Sequence, residues 1–379
     1  MSRIDGGGRG RKRSAIRRAM ERIPFTSEEM SSDEFYPTMR AGFPGARKYR
    51  WPVAPKDNYY AVFSRETPLW IPTGSDRRMF APRIDPDNLV RVQVSEANPL
   101  KPEEMVGGKD KHGIEWVYIP VAGGSMVRPG KPLLEDANDW EKLVQFPDLD
   151  TWDWEGSAAS NKAELDGEGR ALSVTILTGF FERLISLMDF DNAAVAMIDE
   201  DQKDAIKALF ERLADLYIDI MKRYKKHFGP RILCVHDDWG SQRSPFFSLA
   251  TIREMLVPAF SRLVQATHEE GLFFDIHSCG KNEIIVPAYI EIGVDYWSGQ
   301  SINDRAMLHE KYGGKLILGL DPDVPFADMV TDEEAAAAAK RFVQKYGPSM
   351  EKKPFVCPAM GAPIAFLDAL YEESRKLYS

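Results

Sequence analysis

Cysteine is scarce: Cys234, Cys279 and Cys357 are the only three in 379 residues. An odd and small number argues against a disulfide framework and leaves thiols available as ligands in a reducing compartment. Long apolar runs are missing too. None approaches the roughly 18 residues that a membrane span needs, and the N-terminus shows no apolar core of a secretory signal. The expectation is a soluble, cytoplasmic protein with no membrane partner. Nor is there an excess of positive charge: 58 acidic against 49 basic residues give a formal net charge of −9, so no nucleic-acid partner is expected for the body of the chain. The first twenty residues run the other way, with Arg3, Arg9, Arg11, Lys12, Arg13, Arg17 and Arg18 against Asp5. With Gly6-Gly7-Gly8 beside them, they read as a flexible basic tail. Two catalytic signatures are also absent. Gly123-Gly124 lacks the spacing and the following Lys-Ser/Thr of a phosphate loop, and no nucleophile-elbow sequence occurs.

What is present divides the chain at residue 55. Residues 1–55 read as an N-terminal extension, disordered in part, with one short helix around Ser14 to Glu21. Residues 56–379 read as one domain. Asp57 is placed to cap a helix running through Phe63. Leu69 to Pro72 and Trp116 to Val121 look like strands. Trp116, Tyr118, Trp152 and Trp154 pack a long loop or form an aromatic wall of a substrate pocket. After residue 170 strands and helices alternate: strands at Leu172 to Leu177, Arg231 to Val235, Leu272 to Ile276, Val294 to Trp297, Lys315 to Asp321 and Pro354 to Cys357. Helices are expected over Gln202 to Lys226, over Thr251 to Glu270 with a kink at Pro258, and over Asp332 to Lys345. Short apolar strands joined by helices mean a parallel sheet. Counting the strands near 70, 118 and 175, an eightfold repeat makes this an α/β protein, a (β/α)8 TIM barrel.

That topology gathers polar residues that are far apart in the chain. Asp237-Asp238, His277-Ser278-Cys279, Gln300, Asp321 and Cys357 all fall at or just past the C-terminal ends of strands, the face on which barrel enzymes carry their sites. His277 and Cys279 are two apart on an extended chain and point the same way, and Cys357 is a third candidate ligand. One imidazole and two thiolates suit Zn²⁺, with the fourth position left open as in catalytic sites. Asp237 and Asp238 are placed to supply a metal ligand, a general base, a substrate hydrogen bond or the cap of a turn. Asp321 has the same range of roles. Cys234, within an apolar strand, reads as a small hydrophobe, and His112, His227, His268 and His309 as surface or packing residues.

Five stretches then carry a resemblance: Gly179-Phe180-Phe181-Glu182-Arg183-Leu184, His236-Asp237-Asp238-Trp239-Gly240-Ser241-Gln242, His277-Ser278-Cys279-Gly280, Glu291-Ile292-Gly293-Val294-Asp295, and Cys357. Over residues 56–379 the chain resembles the uroporphyrinogen decarboxylase-like superfamily, and within it the cobalamin-dependent methyltransferases. The resemblance implies a (β/α)8 barrel with zinc held by His277, Cys279 and Cys357. Asp238, Asp237 and Asp321 are the candidate catalytic groups, and Gln300, Trp239 and Phe180 the candidate substrate contacts. The arginine-rich segment of the true decarboxylases has no counterpart beyond a loose echo in Asp76-Arg77-Arg78. The implied activity is methyl transfer from a small methoxylated substrate, an aryl methyl ether, to the cobalt of a separate corrinoid protein, with zinc as Lewis acid. The reverse reading moves methyl from the corrinoid protein to a thiol. A barrel that binds a ligand without turnover is the reading from a different class.

Overall fold

The structure, a computed structural model, describes residues 20–36, 45–87, 96, 107–119 and 124–379. The basic tail, most of the helix expected near Ser14, and Pro120 to Gly123 lie outside the described residues. The strands are β1 (Arg77–Phe80), β2 (Gly107–Lys109), β3 (Glu115–Ile119), β4 (Gly124–Val127), β5 (Ala171–Ile176), β6 (Ile232–His236), β7 (Phe273–His277), β8 (Tyr296–Trp297), β9 (Ile317–Gly319) and β10 (Phe355–Val356). Seven of them form one sheet in the order β1-β5-β6-β7-β8-β9-β10, and every pair is parallel. Its two edges meet. Thr73 and Cys357 form a parallel bridge, in which Cys357 N–H donates to the Pro72 carbonyl at 3.0 Å and Gly74 N–H to the Cys357 carbonyl at 3.2 Å. The fold is an α/β barrel of the TIM type.

Two expected strands fall elsewhere. The segment near residue 118 is β3, which pairs antiparallel with β2 and β4 in a separate sheet. Short connections permit antiparallel pairing, whereas a barrel strand needs a long crossover on each side. Leu69 to Pro72 forms no strand, and the ring is closed there by the single bridge at Thr73. The ring therefore has seven strands among the described residues, not eight. Trp116, on β3, is buried and donates to Asp110 at 3.0 Å. Trp154 donates to the Leu149 carbonyl at 2.9 Å and lies 6.0 Å from the His227 ring. Trp154 packs the region between β1 and β5 against Tyr224 and Phe228 of the helix Lys203–Phe228, while the Trp116 hydrogen bond stays within that region.

Inside the ring the layers follow the period of two along each strand. Leu172, Val174 and Ile176 of β5 face the surrounding helices, while Ala171 packs with Ile232 and Phe273, the first residues of β6 and β7. The helix Pro55–Phe63 plugs that end, with Phe63 at 5.2 Å from Phe273 and 5.8 Å from Tyr296. It starts three residues earlier than a cap at Asp57 predicts, with Ala54 at the cap position, because Pro55 suits the first turn. Above the plug the interior is polar: Arg77 donates to Asp275 and to Ser173, both at 2.6 Å, and the Ser298 hydroxyl donates to Asp275 at 3.0 Å. These contacts tie β1, β5 and β7 together below the mouth. The helix expected to kink at Pro258 is two helices, Leu249–Met255 and Val257–Glu269. Asp332–Tyr346 opens on a capping box between Thr331 and Glu334.

The described part of the N-terminal extension is docked on the barrel. Ile23, Phe25, Met30, Tyr49 and Trp51 pack against Leu69, Trp70 and Tyr371. Glu29, buried, accepts from Arg375 at 2.9 and 3.0 Å and from the Tyr371 hydroxyl at 2.6 Å. Burial alone would raise the Glu29 pKa, but Arg375 and Tyr371 hold it below its ordinary 4.5. The pair therefore stabilises the fold above that pH, and the gain is lost as the pH falls through the depressed value. Glu29→Gln should cost roughly 2–4 kcal/mol and make the stability less sensitive to acid. Urea unfolding at pH 7 and pH 4 checks both expectations; curves that match those of the unmodified chain would refute them.

Candidate metal centre

β6 and β7 lie side by side with His236 opposite His277, so the residues that follow each strand emerge together at the mouth. Asp237 N–H donates to the His277 carbonyl at 2.9 Å, which extends the pairing by one step. Beyond it, Cys279 N–H donates to the Asp238 carboxylate at 2.7 Å, and His277 Nε2 lies 3.3 Å from Cys279 Sγ. The donor atoms of Asp238, His277 and Cys279 all lie within 4.8 Å of one another, and each residue is half-buried. These residues fit a zinc ion. Ligand distances of about 2.0 Å to nitrogen and 2.3 Å to sulfur at tetrahedral angles put the two donors about 3.5 Å apart, close to the separation seen.

Two glycines allow the loops to come this close. Gly280 has φ +94°, and a Cβ there would overlap the backbone of Gly240; a Cβ on Gly240 would overlap the Asn282 amide oxygen. The ligand loop is then held by buried amides. Asn282 Nδ2 donates to Ser278 Oγ at 3.0 Å and to the Cys279 carbonyl at 2.7 Å. Asn303 Nδ2 donates to the carbonyls of Gly280 and Gln300, both at 2.9 Å. Gln300 Oε1 accepts from Gly280 N–H at 3.0 Å and from Gln242 at 2.9 Å. Asn282 and Asn303 are absent from the sequence-based candidates. Their only sign in the sequence is a loop amide close behind the glycine, which many turns share.

The other expected residues have different surroundings. Cys357 is fully buried just past β10 and is not among the three residues whose donors come together. Burial, and then the Asp321 carboxylate, push its thiol well above the ordinary value. Asp321 accepts from Arg305 at 2.7 Å; burial raises its pKa while Arg305 opposes the rise. Asp237 is buried with its carboxylate turned away from the centre, accepting from Phe181 N–H at 3.1 Å, Glu182 N–H at 2.8 Å and Trp239 Nε1 at 2.8 Å. It caps the helix Phe180–Met188, and burial pushes its pKa up to about 6. Gly179 makes room for it, since a Cβ there would stand 2.6 Å from that of Asp237. Trp239 and Phe180 have no exposed surface. Trp239 stacks on Tyr289 at 5.1 Å, and Phe180 meets Phe260 edge-on at 4.7 Å. Both are packed in the core behind the mouth and do not line it. Asp295, in the fourth of the resembling stretches, accepts from Phe274 N–H at 2.8 Å and pairs with His268 at 2.7 Å, bracing the start of β7.

Fold and site together define a barrel with a metal-capable cluster at its C-terminal mouth. No family profile matches the chain, and the comparison with curated proteins gave no match. Among solved structures, a GH10 endoxylanase retrieved from a sugarcane soil metagenome aligns with 63% of this chain and 86% of its own at 10% identity, with a TM-score of 0.35. An alpha-amylase from Malbranchea cinnamomea aligns with 58% of this chain and 57% of its own at 13% identity and a TM-score of 0.29. A xylose isomerase-like TIM barrel protein from Mycobacterium smegmatis, in complex with magnesium, aligns with 59% of this chain and 78% of its own at 13% identity and a TM-score of 0.28. No activity carries over at such identities, and the fold rests on the strand order of the chain itself.

Asp237 generates the prediction for this region. In Asp237→Asn the amide NH₂ faces a backbone N–H in place of a carboxylate oxygen, so the variant should lose about 1–3 kcal/mol of stability. Urea denaturation measures it, and an unshifted midpoint would contradict the capping role.

Proposed function

We propose that the chain is a zinc-dependent methyltransferase that takes a methyl group from a small methoxylated compound, an aryl methyl ether, and passes it to the corrinoid of a partner protein. The observation that carries this reading is the convergence of Asp238, His277 and Cys279 at the barrel mouth. The resemblance of the surrounding stretches to the cobalamin-dependent methyltransferases supports it. Zinc bound there would supply Lewis acidity. In the reaction the methyl–oxygen bond breaks and the methyl passes to the corrinoid, while the departing oxygen keeps the bonding pair and needs positive charge or a proton. The chain contributes position. Cys279 N–H orients the Asp238 carboxylate, Asn282 fixes Ser278 and the Cys279 carbonyl, and Arg305 holds Asp321 at the end of β9.

The metal claim is tested by zinc analysis of purified protein. About one zinc per chain is expected, lost in His277→Ala and in Cys279→Ala and weakened in Asp238→Asn. Cys357→Ala should keep its zinc if the three gathered residues are the ligand set; loss of zinc in that variant would make Cys357 a ligand, as the resemblance implies. A protein without zinc would overturn the metal claim. The activity is tested by mixing the protein with a reduced corrinoid protein and a panel of methoxyarenes and following the cobalt absorbance. Methylation of cobalt is expected. No response to any ether, with a thiol accepting methyl from the corrinoid instead, would assign the reverse direction, and silence in both assays would leave a binding barrel.

A further inference from the structure

Large apolar side chains stand exposed at the C-terminal end of this barrel. Phe190, Val195 and Ile198 lie in the connection that leaves β5, and Ile284, Ile302 and Met307 in those that leave β7 and β8. None is exposed in the turns that lead from a helix into β6, β7, β8, β9 or β10. Single exposed apolar residues are ordinary on a protein surface, whereas grouped ones mark a place where something docks. Val195 keeps 59% of its surface and Ile284 67%.

Local contacts gather each set of three into a patch. The Glu283 carboxylate accepts from Asp304 N–H at 2.7 Å and the Asp304 carboxylate from Met307 N–H at 2.9 Å, which ties the turn of Ile284 to that of Ile302 and Met307. Asn282 N–H donates to Asn303 Oδ1 at 2.8 Å, so this patch stands on the two amides that brace the ligand loop. On the other side, the short helix Phe190–Ala196 sets the Phe190 ring 5.0 Å from Phe246, in the loop after β6, and Ile198 N–H donates to the Val195 carbonyl at 3.0 Å. In the ring, β6 and β7 come between β5 and β8. The metal centre therefore falls between the two patches. Their charges differ. Asp191 and Asp201 are exposed around the first, and among the described residues neither forms an ion pair; the second mixes Glu283 and Asp304 with Lys281.

We infer that the two patches together are the surface on which the corrinoid protein docks, with an apolar face of that partner spanning the mouth and its basic side chains turned toward Asp191 and Asp201, an inference that rests on the methyl-transfer reading above. A specific interface takes about 800 Å² from each partner, far more than three partly exposed side chains supply. A partner held by these residues has to engage both patches, and in doing so it covers the metal centre between them. Affinity then comes from the flanks, and the mouth itself is left to the substrate and the cobalt.

The test mixes the full chain with a purified corrinoid protein and follows the complex by sedimentation velocity. Methyl transfer from a methoxyarene is then measured separately to that protein and to free cob(I)alamin, which needs no docking surface. Val195→Glu and Ile284→Glu, both at exposed positions, should each weaken the complex roughly tenfold and slow transfer to the protein-bound corrinoid, with zinc content and transfer to free cob(I)alamin unchanged. Leu377→Glu, exposed in the last helix beside Gly347 at the opposite end of the barrel, should change none of these. A complex indifferent to both substitutions, or weakened as much by Leu377→Glu, would overturn the surface. A complex that both variants lose, with no methyl transfer by the unmodified chain to either acceptor, would sink the proposed activity alone. Undiminished transfer to the corrinoid protein in both variants would sink the surface alone.

Discussion

The mouth of this barrel depends on how closely two backbones approach. Gly240 and Gly280 sit against each other where neither could carry a side chain, and that contact is what lets the loop after β6 reach the loop after β7. Without it, Asp238 would not meet the Cys279 N–H and the three donors would not share one space. A left-handed φ at Gly280 turns the chain straight after the thiol. Strand pairing brings the loops side by side, and the two glycines bring them together.

The three gathered donors are held from behind by groups that never touch the mouth. Asn282 and Asn303 satisfy the carbonyls of the ligand loop, and Asp237 collects three donors at the head of the helix after β5. A further layer down, the Arg77–Asp275 pair occupies the barrel interior where aliphatic layers are usual. Arg183 and Lys111 play the same part outside the ring: with Asp85, Asp87 and Asp110 they form a buried ionic network that joins the segment between β1 and β5 to the helix Phe180–Met188. Removing one member of such a network leaves a charge buried without its partner, which makes these residues expensive to change although none is a ligand.

Much of this was legible from the sequence, and the gaps have physical causes. An apolar run ending in His277-Ser278-Cys279 fixes the strand, its direction and the shared face, because extended chain repeats every two residues. The same periodicity says nothing about which strand pairs with which, so β3 looked like a member of the ring although it belongs to an antiparallel sheet. Asp237 and Asp238 are alike in type and adjacent, and only the turn after β6 sends one into the core and the other to the mouth. Trp239 and Phe180 belong to the resembling stretches through packing: a buried aromatic behind a site marks a stretch as strongly as a contact residue does. Cys357 sits at a strand end as expected, and its thiol is not among the three donors that come together around His277.

The central claim is that His277, Cys279 and Asp238 hold a zinc ion. Zinc K-edge X-ray absorption on the purified protein addresses it most directly, because sulfur and light-atom neighbours separate by distance. The account predicts a mixed shell, with sulfur at about 2.3 Å and nitrogen or oxygen at about 2.0–2.1 Å, and a smaller sulfur contribution or no bound zinc in Cys279→Ala. A shell of light atoms alone, or a sulfur contribution that survives Cys279→Ala undiminished, would contradict it.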